Sequence, residues 1–293
     1  MNTPIKSIVS GSAGRKIATD LYMPPHKDGV SHPVILFVHG FKGFKDWGIW
    51  SLCADFFVSR GFAFLAFNFS HNGTAPGQET EFCDLEAFSQ NTFSKEQADL
   101  QFVIDWLADN SATQKWPLDL NRVGLIGHSR GGPIALLHGL RDARVKAVVT
   151  WASVARLDYA WQDAGLVERW KKEGILTVIN GRTGQEMPLL FELYRDFDRR
   201  RNELDVKTFL RKGNKPILII HGTADPAVPS SHALELHEWA SDSSLLLIEG
   251  ADHVFGGKHP WHEDRLPADA RRAVEASADF FEEKLVHENK ETV

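Results

Sequence analysis

The sequence predicts an α/β protein built on a mostly parallel, doubly wound sheet that carries a small helical lid insertion. Three observations predict it: short apolar runs bounded by turn residues, helical patterns between them, and one long stretch where that alternation stops. The runs fall at residues 34–38, 62–67, 123–126, 145–150, 217–220 and 245–248. Each is mostly apolar and reads as a buried rather than an amphipathic strand, as expected of strands covered on both faces. Residues 16–22 read as an outer strand, and helices read at 50–59, 95–108, 131–140, 232–239 and 268–285. Ser94 is the expected N-cap of the second helix, with Phe102, Ile104, Trp106 and Leu107 on its apolar side. Between residues 156 and 212 the chain becomes charged, aromatic and helical in pattern, with Trp161, Trp170, Phe191, Tyr194 and Phe197 among many Arg, Asp and Glu residues. The expected organisation is a core of residues 1–155 and 213–293 with residues 156–212 as a lid over one end of the sheet.

Composition excludes some functions. The chain has 293 residues and a formal charge of -6, which argues against a nucleic-acid partner, since phosphate binding calls for clustered Lys and Arg. Cys53 and Cys83 read as ordinary buried or half-buried thiols. The first ten residues lack the basic and apolar pattern of a signal peptide, and no segment offers the ~20 apolar residues of a membrane span, so a cytoplasmic location is expected.

The strongest chemical signal is Gly127-His128-Ser129-Arg130-Gly131-Gly132, placed where a buried strand hands over to a helix. A nucleophile on so sharp a turn needs small neighbours, because its backbone is strained and the flanking chain passes close by. Free N–H groups at the helix start suit a developing oxyanion, which makes the Arg130 N–H a candidate donor. The loop His39-Gly40-Phe41-Lys42-Gly43, after an earlier strand, supplies the Phe41 N–H as the second. His39 reads as a loop-holding residue, and Lys42 and Lys45 as solvated loop residues, with contact to an acidic substrate as the alternative.

A Ser hydroxyl needs a base, and the base needs a carboxylate to fix its tautomer. Asp225, in His221-Gly222-Thr223-Ala224-Asp225-Pro226, and His253, in Gly250-Ala251-Asp252-His253, follow Ser129 in the required order, each after a strand. Asp252 is the weaker acid candidate, because adjacent side chains rarely turn toward each other. Trp151, Phe255 and Trp261 lie near the expected catalytic face and are candidates for contacting substrate, with core packing as the alternative.

These motifs, spread over nearly the whole chain, resemble the α/β-hydrolase superfamily, and within it bacterial esterases similar to cinnamoyl and feruloyl esterases and to dienelactone-hydrolase-like proteins. The resemblance implies a serine hydrolase that cleaves small acyl or aromatic carboxylic esters through an acyl-Ser129 intermediate, without metal or organic cofactor. It also implies that the insertion roofs the site. Dienelactone hydrolases proper carry Cys where this chain has Ser129, which counts against that reaction. A peptidase, amidase or thioesterase on the same three residues is the alternative, and a non-catalytic binding protein the rival of a different class. The expected partner is a small-molecule ester, with self-association left open.

Overall fold

A computed structural model describes residues 2–287 of the chain; Met1 and residues 288–293, at the outer ends of the expected core, lie outside it. The chain opens with β1 (Ile5–Ser10), β2 (Lys16–Tyr22) and β3 (His32–Val38), followed by α1 (Trp50–Ser59) and β4 (Ala63–Phe67). Next come α2 (Leu85–Ser89), α3 (Phe93–Gln114), β5 (Leu118–His128), α4 (Gly131–Gly139) and β6 (Val145–Trp151). The inserted stretch holds α5 (Ala164–Glu173), β7 (Ile175–Ile179), β8 (Glu186–Leu190), α6 (Glu192–Arg199) and α7 (Val206–Lys212). The chain then returns through β9 (Ile217–Gly222), α8 (Ser231–Trp239), β10 (Ser243–Ile248) and α9 (Ala268–Phe281).

Eight strands form one sheet in the order β1-β2-β4-β3-β5-β6-β9-β10. The pairs β1/β2 and β2/β4 are antiparallel, and every pair from β4 to β10 is parallel. The central strands β3, β4 and β9 are buried along their whole length, in keeping with the apolar runs 34–38, 63–67 and 217–220 that they contain. At the edge, β10 is only partly covered, so its run of Leu does not mark a strand buried on both faces. Separate apolar cores lie on the two sides of the sheet. One packs α3 and α4 with the inserted elements, and the other packs α1 and α9. Gly124 of β5 belongs to the second: a Cβ there would sit 2.5 Å from the Phe281 ring, so its smallness lets α9 dock on the sheet.

Several expectations are corrected. The N-cap of α3 is Thr92, whose side chain accepts from the Lys95 N–H. Ser94 instead reaches across to Asp196 of α6 at 2.6 Å. Phe102 is 41% exposed rather than on the apolar side, and Cys83 is exposed while Cys53 is buried. The insertion is not purely helical. Its β7–β8 pair is an antiparallel hairpin in a sheet of its own, joined by the loop 180–185, in which Asn180 Oδ1 accepts the Arg182 backbone N–H and Gly184 takes a φ of 72°.

Candidate active site

Ser129 sits between the end of β5 and the start of α4 with φ of 55°, a left-handed conformation that costs free energy for any residue with a Cβ. Crowding by backbone holds it there. A Cβ on Gly127 would lie 2.4 Å from the Gly131 carbonyl oxygen, and one on Gly131 would lie 2.2 Å from that of Val38. The Ser129 N–H donates to the Trp151 carbonyl at 2.9 Å, so β6 fixes the height of the turn.

Two loops at the C-terminal ends of later parallel strands bring up the partners. The turn after β9 carries Asp225, and the turn after β10 carries His253. His253 Nε2 lies 3.1 Å from Ser129 Oγ, and His253 Nδ1 lies 2.7 Å from Asp225 Oδ2. The other Asp225 oxygen accepts the N–H groups of Ala227 at 2.8 Å and Val228 at 2.9 Å. Burial pushes this carboxyl upward, but hydrogen bonds from His221, His253 and Val228 outweigh it and hold the group well below the ordinary carboxylate range. Asp225 is therefore an anion, aimed at the imidazole. Asp252 turns away and accepts from the N–H groups of Val254 and Gly256.

Buried imidazoles frame this row. His128 bonds the His253 carbonyl at 2.9 Å through Nε2, and burial first, then the neighbouring His253, lowers its pKa to about 3. It is a neutral donor that steadies the backbone beneath His253. His39 donates Nδ1–H to the Gly40 carbonyl at 2.9 Å and accepts the Phe69 N–H at Nε2, with a pKa lowered to about 4, chiefly by burial. It thus holds the loop that carries Phe41. A Cβ on Gly40 would lie 2.8 Å from the Ser129 Cβ, which measures how closely that loop passes the hydroxyl. Neither the Phe41 nor the Arg130 N–H donates to an acceptor among the described residues. Lys45 is not solvated: its ammonium is buried against Asp20 and Asp46 at 2.7 Å each, anchoring the far end of the same loop.

Two chambers flank Phe41. One, of about 370 Å³, contains Ser129 and His253 and is walled by Trp47, Trp50, Asn180 and Arg182. The other, of about 290 Å³, is apolar and lies between Phe41, Phe93 and Arg130 on one side and Trp161, Leu176 and Leu193 of the insertion on the other.

Among known proteins, the chain matches the BD-FAE family over residues 19–240, well over half its length. It belongs to the BD-FAE family. The Mycoplasma genitalium protein named Putative esterase/lipase 2 is 23% identical over 240 residues, covering 75% of this chain and 82% of that one. Among solved structures, Est1E from Butyrivibrio proteoclasticus with ferulic acid bound superposes with a TM-score of 0.65 at 19% identity, covering 95% of this chain and 99% of that one. Dienelactone hydrolase from Anabaena variabilis superposes at 0.58 and 19% identity, over 97% and 100% of the two chains. The fold is that of the α/β hydrolases.

In this BD-FAE chain, Ser129, Asp225, His253, Phe41 and Arg130 come together at one end of the sheet, whereas the three aromatic candidates do not line either chamber. Trp151 is 1% exposed and packs on Phe37, Trp50 and Phe255 in the core beneath α9, with its indole N–H on Ser277. Phe255, also 1% exposed, belongs to the same core, and Trp261 turns its N–H to the Arg265 carbonyl. For Trp151 and Phe255 the expected contact with substrate is corrected to core packing: strand alternation sends Trp151 to the α9 side of the sheet. Asn180, Arg182, Trp47 and Trp50 take the wall positions instead. The Asn180-Gly181 turn signal inside the insertion could have revealed the first two. No helix among the described residues is long and apolar enough to cross a membrane.

Proposed function

We propose that this protein is a serine hydrolase cleaving carboxylic esters through a covalent acyl-Ser129 intermediate. One observation carries the reading: Ser129 Oγ, His253 and Asp225 stand in a row at 3.1 and 2.7 Å, with the Ser on a strained turn beside two uncommitted N–H groups. The family match and the esterase/lipase relative support the coarser assignment to hydrolase chemistry.

In the proposed reaction His253 Nε2 removes the Ser129 proton as Oγ attacks the ester carbonyl carbon. The Phe41 and Arg130 N–H groups hold the resulting oxyanion, and Asp225 steadies the imidazolium. The tetrahedral species collapses as His253 protonates the departing alkoxide. Water, deprotonated by the same His, then releases the acid and restores Ser129. Residues 156–212 act as the lid. Est1E binds ferulic acid, and the apolar chamber between Phe93 and Trp161 supports a small or aromatic acyl group here too.

The test is hydrolysis of p-nitrophenyl esters from acetate to long acyl chains and of methyl ferulate, by wild type and Ser129→Ala, together with labelling by a fluorophosphonate. Short or aromatic esters should be cleaved, and Ser129→Ala should lose both turnover and label. Full activity in that variant defeats the proposal, and cleavage of an aminoacyl anilide alone would move the assignment to a peptidase.

A further inference from the structure

The chamber around Ser129 has an unusual charge balance. Lys42 and Arg182 line it, and no Asp or Glu does among the described residues, although the chain as a whole carries a formal charge of -6. Lys42 extends from the loop after β3 to the Ile179 carbonyl of β7 at 2.9 Å, which occupies one of its three N–H groups. The Arg182 guanidinium has no ion pair or hydrogen bond among the described residues, so its five N–H groups are free.

A second observation at the same wall is independent of charge. Asn180 is 5% exposed, and its side-chain Nδ2 is buried without an acceptor among the described residues. The Arg182 backbone N–H donates to Asn180 Oδ1 at 3.1 Å, which fixes which end of the amide is the NH2. A buried donor without an acceptor is destabilising, and buried polar groups in folded proteins are rarely left so unless something else supplies the partner. The Nδ2 atom itself is closed off from the chamber, so Asn180 contributes a polar wall beside Arg182, and the donors open to a ligand at this wall are those of Arg182 and Lys42.

We infer that the ester cleaved at Ser129 bears a carboxylate, held beside Arg182 and Lys42 at the β7–β8 turn, while its apolar part occupies the chamber beyond Phe41. This rests on the serine-esterase reading and adds the substrate class. A carboxylate fits better than a phosphate dianion: one free guanidinium fork matches two oxygens and a single charge, and Lys42 is already partly committed. The position of Phe41, which borders both chambers, makes the preferred substrate amphipathic, with its apolar and acidic parts on opposite sides of that ring.

The test compares acids with their uncharged twins. Monophenyl succinate and phenyl succinamate place the charge on the acyl half, and 3-(benzoyloxy)propanoate and 3-(benzoyloxy)propanamide place it on the alcohol half. In at least one pair the acid should have a kcat/KM about tenfold or more above its amide, the scale of a hydrogen bond to a charged group. That ratio should collapse in Arg182→Gln, a change at an exposed side chain that bonds nothing, and should shrink in high salt. Acid and amide equal in both pairs, or a preference that survives Arg182→Gln, overturns the inference; so does a stronger preference for 3-(benzoyloxy)propyl phosphate. Cleavage of the amides without discrimination sinks the anion site alone. No cleavage and no fluorophosphonate label on Ser129 sinks the esterase reading and this inference with it. Label without cleavage is decided by protection, where 3-phenylpropanoate should slow labelling more than 3-phenylpropanamide and equal slowing refutes the site.

Discussion

Replacing Gly131 by Ala tests whether the contact between the Ser129 turn and the β3 loop sets catalytic geometry or merely fills space. The new Cβ would meet the Val38 carbonyl oxygen at 2.2 Å and that of His39 at 2.6 Å. Both are backbone atoms at the end of a central strand, so neither can rotate away. An unstrained carbon–oxygen contact is about 3.3 Å, so the start of α4 and the β3 loop must separate by about 1 Å. Overpacking of this kind costs about 1–3 kcal/mol, which for a domain of this size lowers Tm by roughly 2–5 °C. The two N–H groups assigned to the oxyanion sit on either side of the wedge, at Arg130 and Phe41. A displacement of about 1 Å there should lower kcat/KM about a hundredfold per folded molecule. Thermal unfolding gives the first quantity, and p-nitrophenyl ester hydrolysis, normalised to the folded fraction, gives the second. A Tm loss with kcat/KM within about twofold of wild type would refute the assignment of those N–H groups, since a wedge between them would then leave the chemistry untouched.

Asp225→Asn should keep the fold, because an amide oxygen can still accept the Ala227 and Val228 N–H groups, yet lower kcat by about 10⁴ by presenting an N–H to His253 Nδ1 and selecting the wrong tautomer; steady-state kinetics with a circular-dichroism control decides this, and a loss under tenfold would remove Asp225 from its role. Lys45→Met leaves the buried Asp20 carboxylate with only the exposed Lys6, and should cost about 3–5 kcal/mol in urea unfolding, largely regained in the Lys45→Met/Asp20→Leu double variant. Equal instability of single and double variants would show that the charge pair is not the cause. His39 and His128 have folded pKa values near 4 and 3 against an ordinary 6.5, both lowered first by burial. Below pH 6.5 the unfolded chain takes up protons that the folded chain refuses, so stability falls as pH drops from about 6.5 toward 4, by about 1.4 kcal/mol per pH unit for each His. His128→Gln should make that slope shallower by one such increment in urea titrations at pH 7, 6 and 5, and an unchanged slope would mean that His128 charges in the fold.

The parts of this molecule that were legible in the sequence are those where one local rule acts alone. The strands around 34–38 and 217–220 are buried on both faces, so their residues are apolar without interruption, and α1 matches its expected bounds of 50–59. The Ser129 turn is legible because steric crowding leaves glycine as the residue that fits at 127 and 131. Legibility fails where two signals compete. Thr92 and Ser94 are both able to cap α3, and only the position of Asp196, far along the chain, draws Ser94 away. Strand β1 has an exposed outer face and escapes a search for continuous apolar runs. In the hairpin β7 alternates exposed and half-buried residues and β8 alternates with the buried Met187 and Leu189, but each strand spans five residues amid charged helices, so its period of two is short and easily absorbed into a helical pattern. Trp151 shows a different failure: its place in sequence near the catalytic edge is right, but whether a strand's last side chain points to one face or the other depends on register.

Arg130 shows how the generic and the particular parts of the site are joined. Its backbone belongs to the turn that any nucleophile of this fold requires, yet its side chain leaves that turn to reach the buried Glu96 at 2.6 Å, an oxygen that also accepts from Asn91 at 2.7 Å. Burial raises the Glu96 carboxyl and the Arg130 charge opposes that rise, so the pair offsets a desolvation penalty rather than adding clear stability. What the pair does fix is position. The guanidinium lies 4.3 Å from the centre of the Phe41 ring and 5.7 Å from that of Phe93, a cation held against two aromatic walls of the apolar chamber. Phe41 in turn separates that chamber from the one around Ser129 and carries one of the two N–H groups assigned to the oxyanion. On the proposed reading, a buried ion pair between α3 and the start of α4 would hold the partition between the two parts of a substrate in register with Ser129. That reading couples selectivity and chemistry through one side chain rather than dividing them between core and lid.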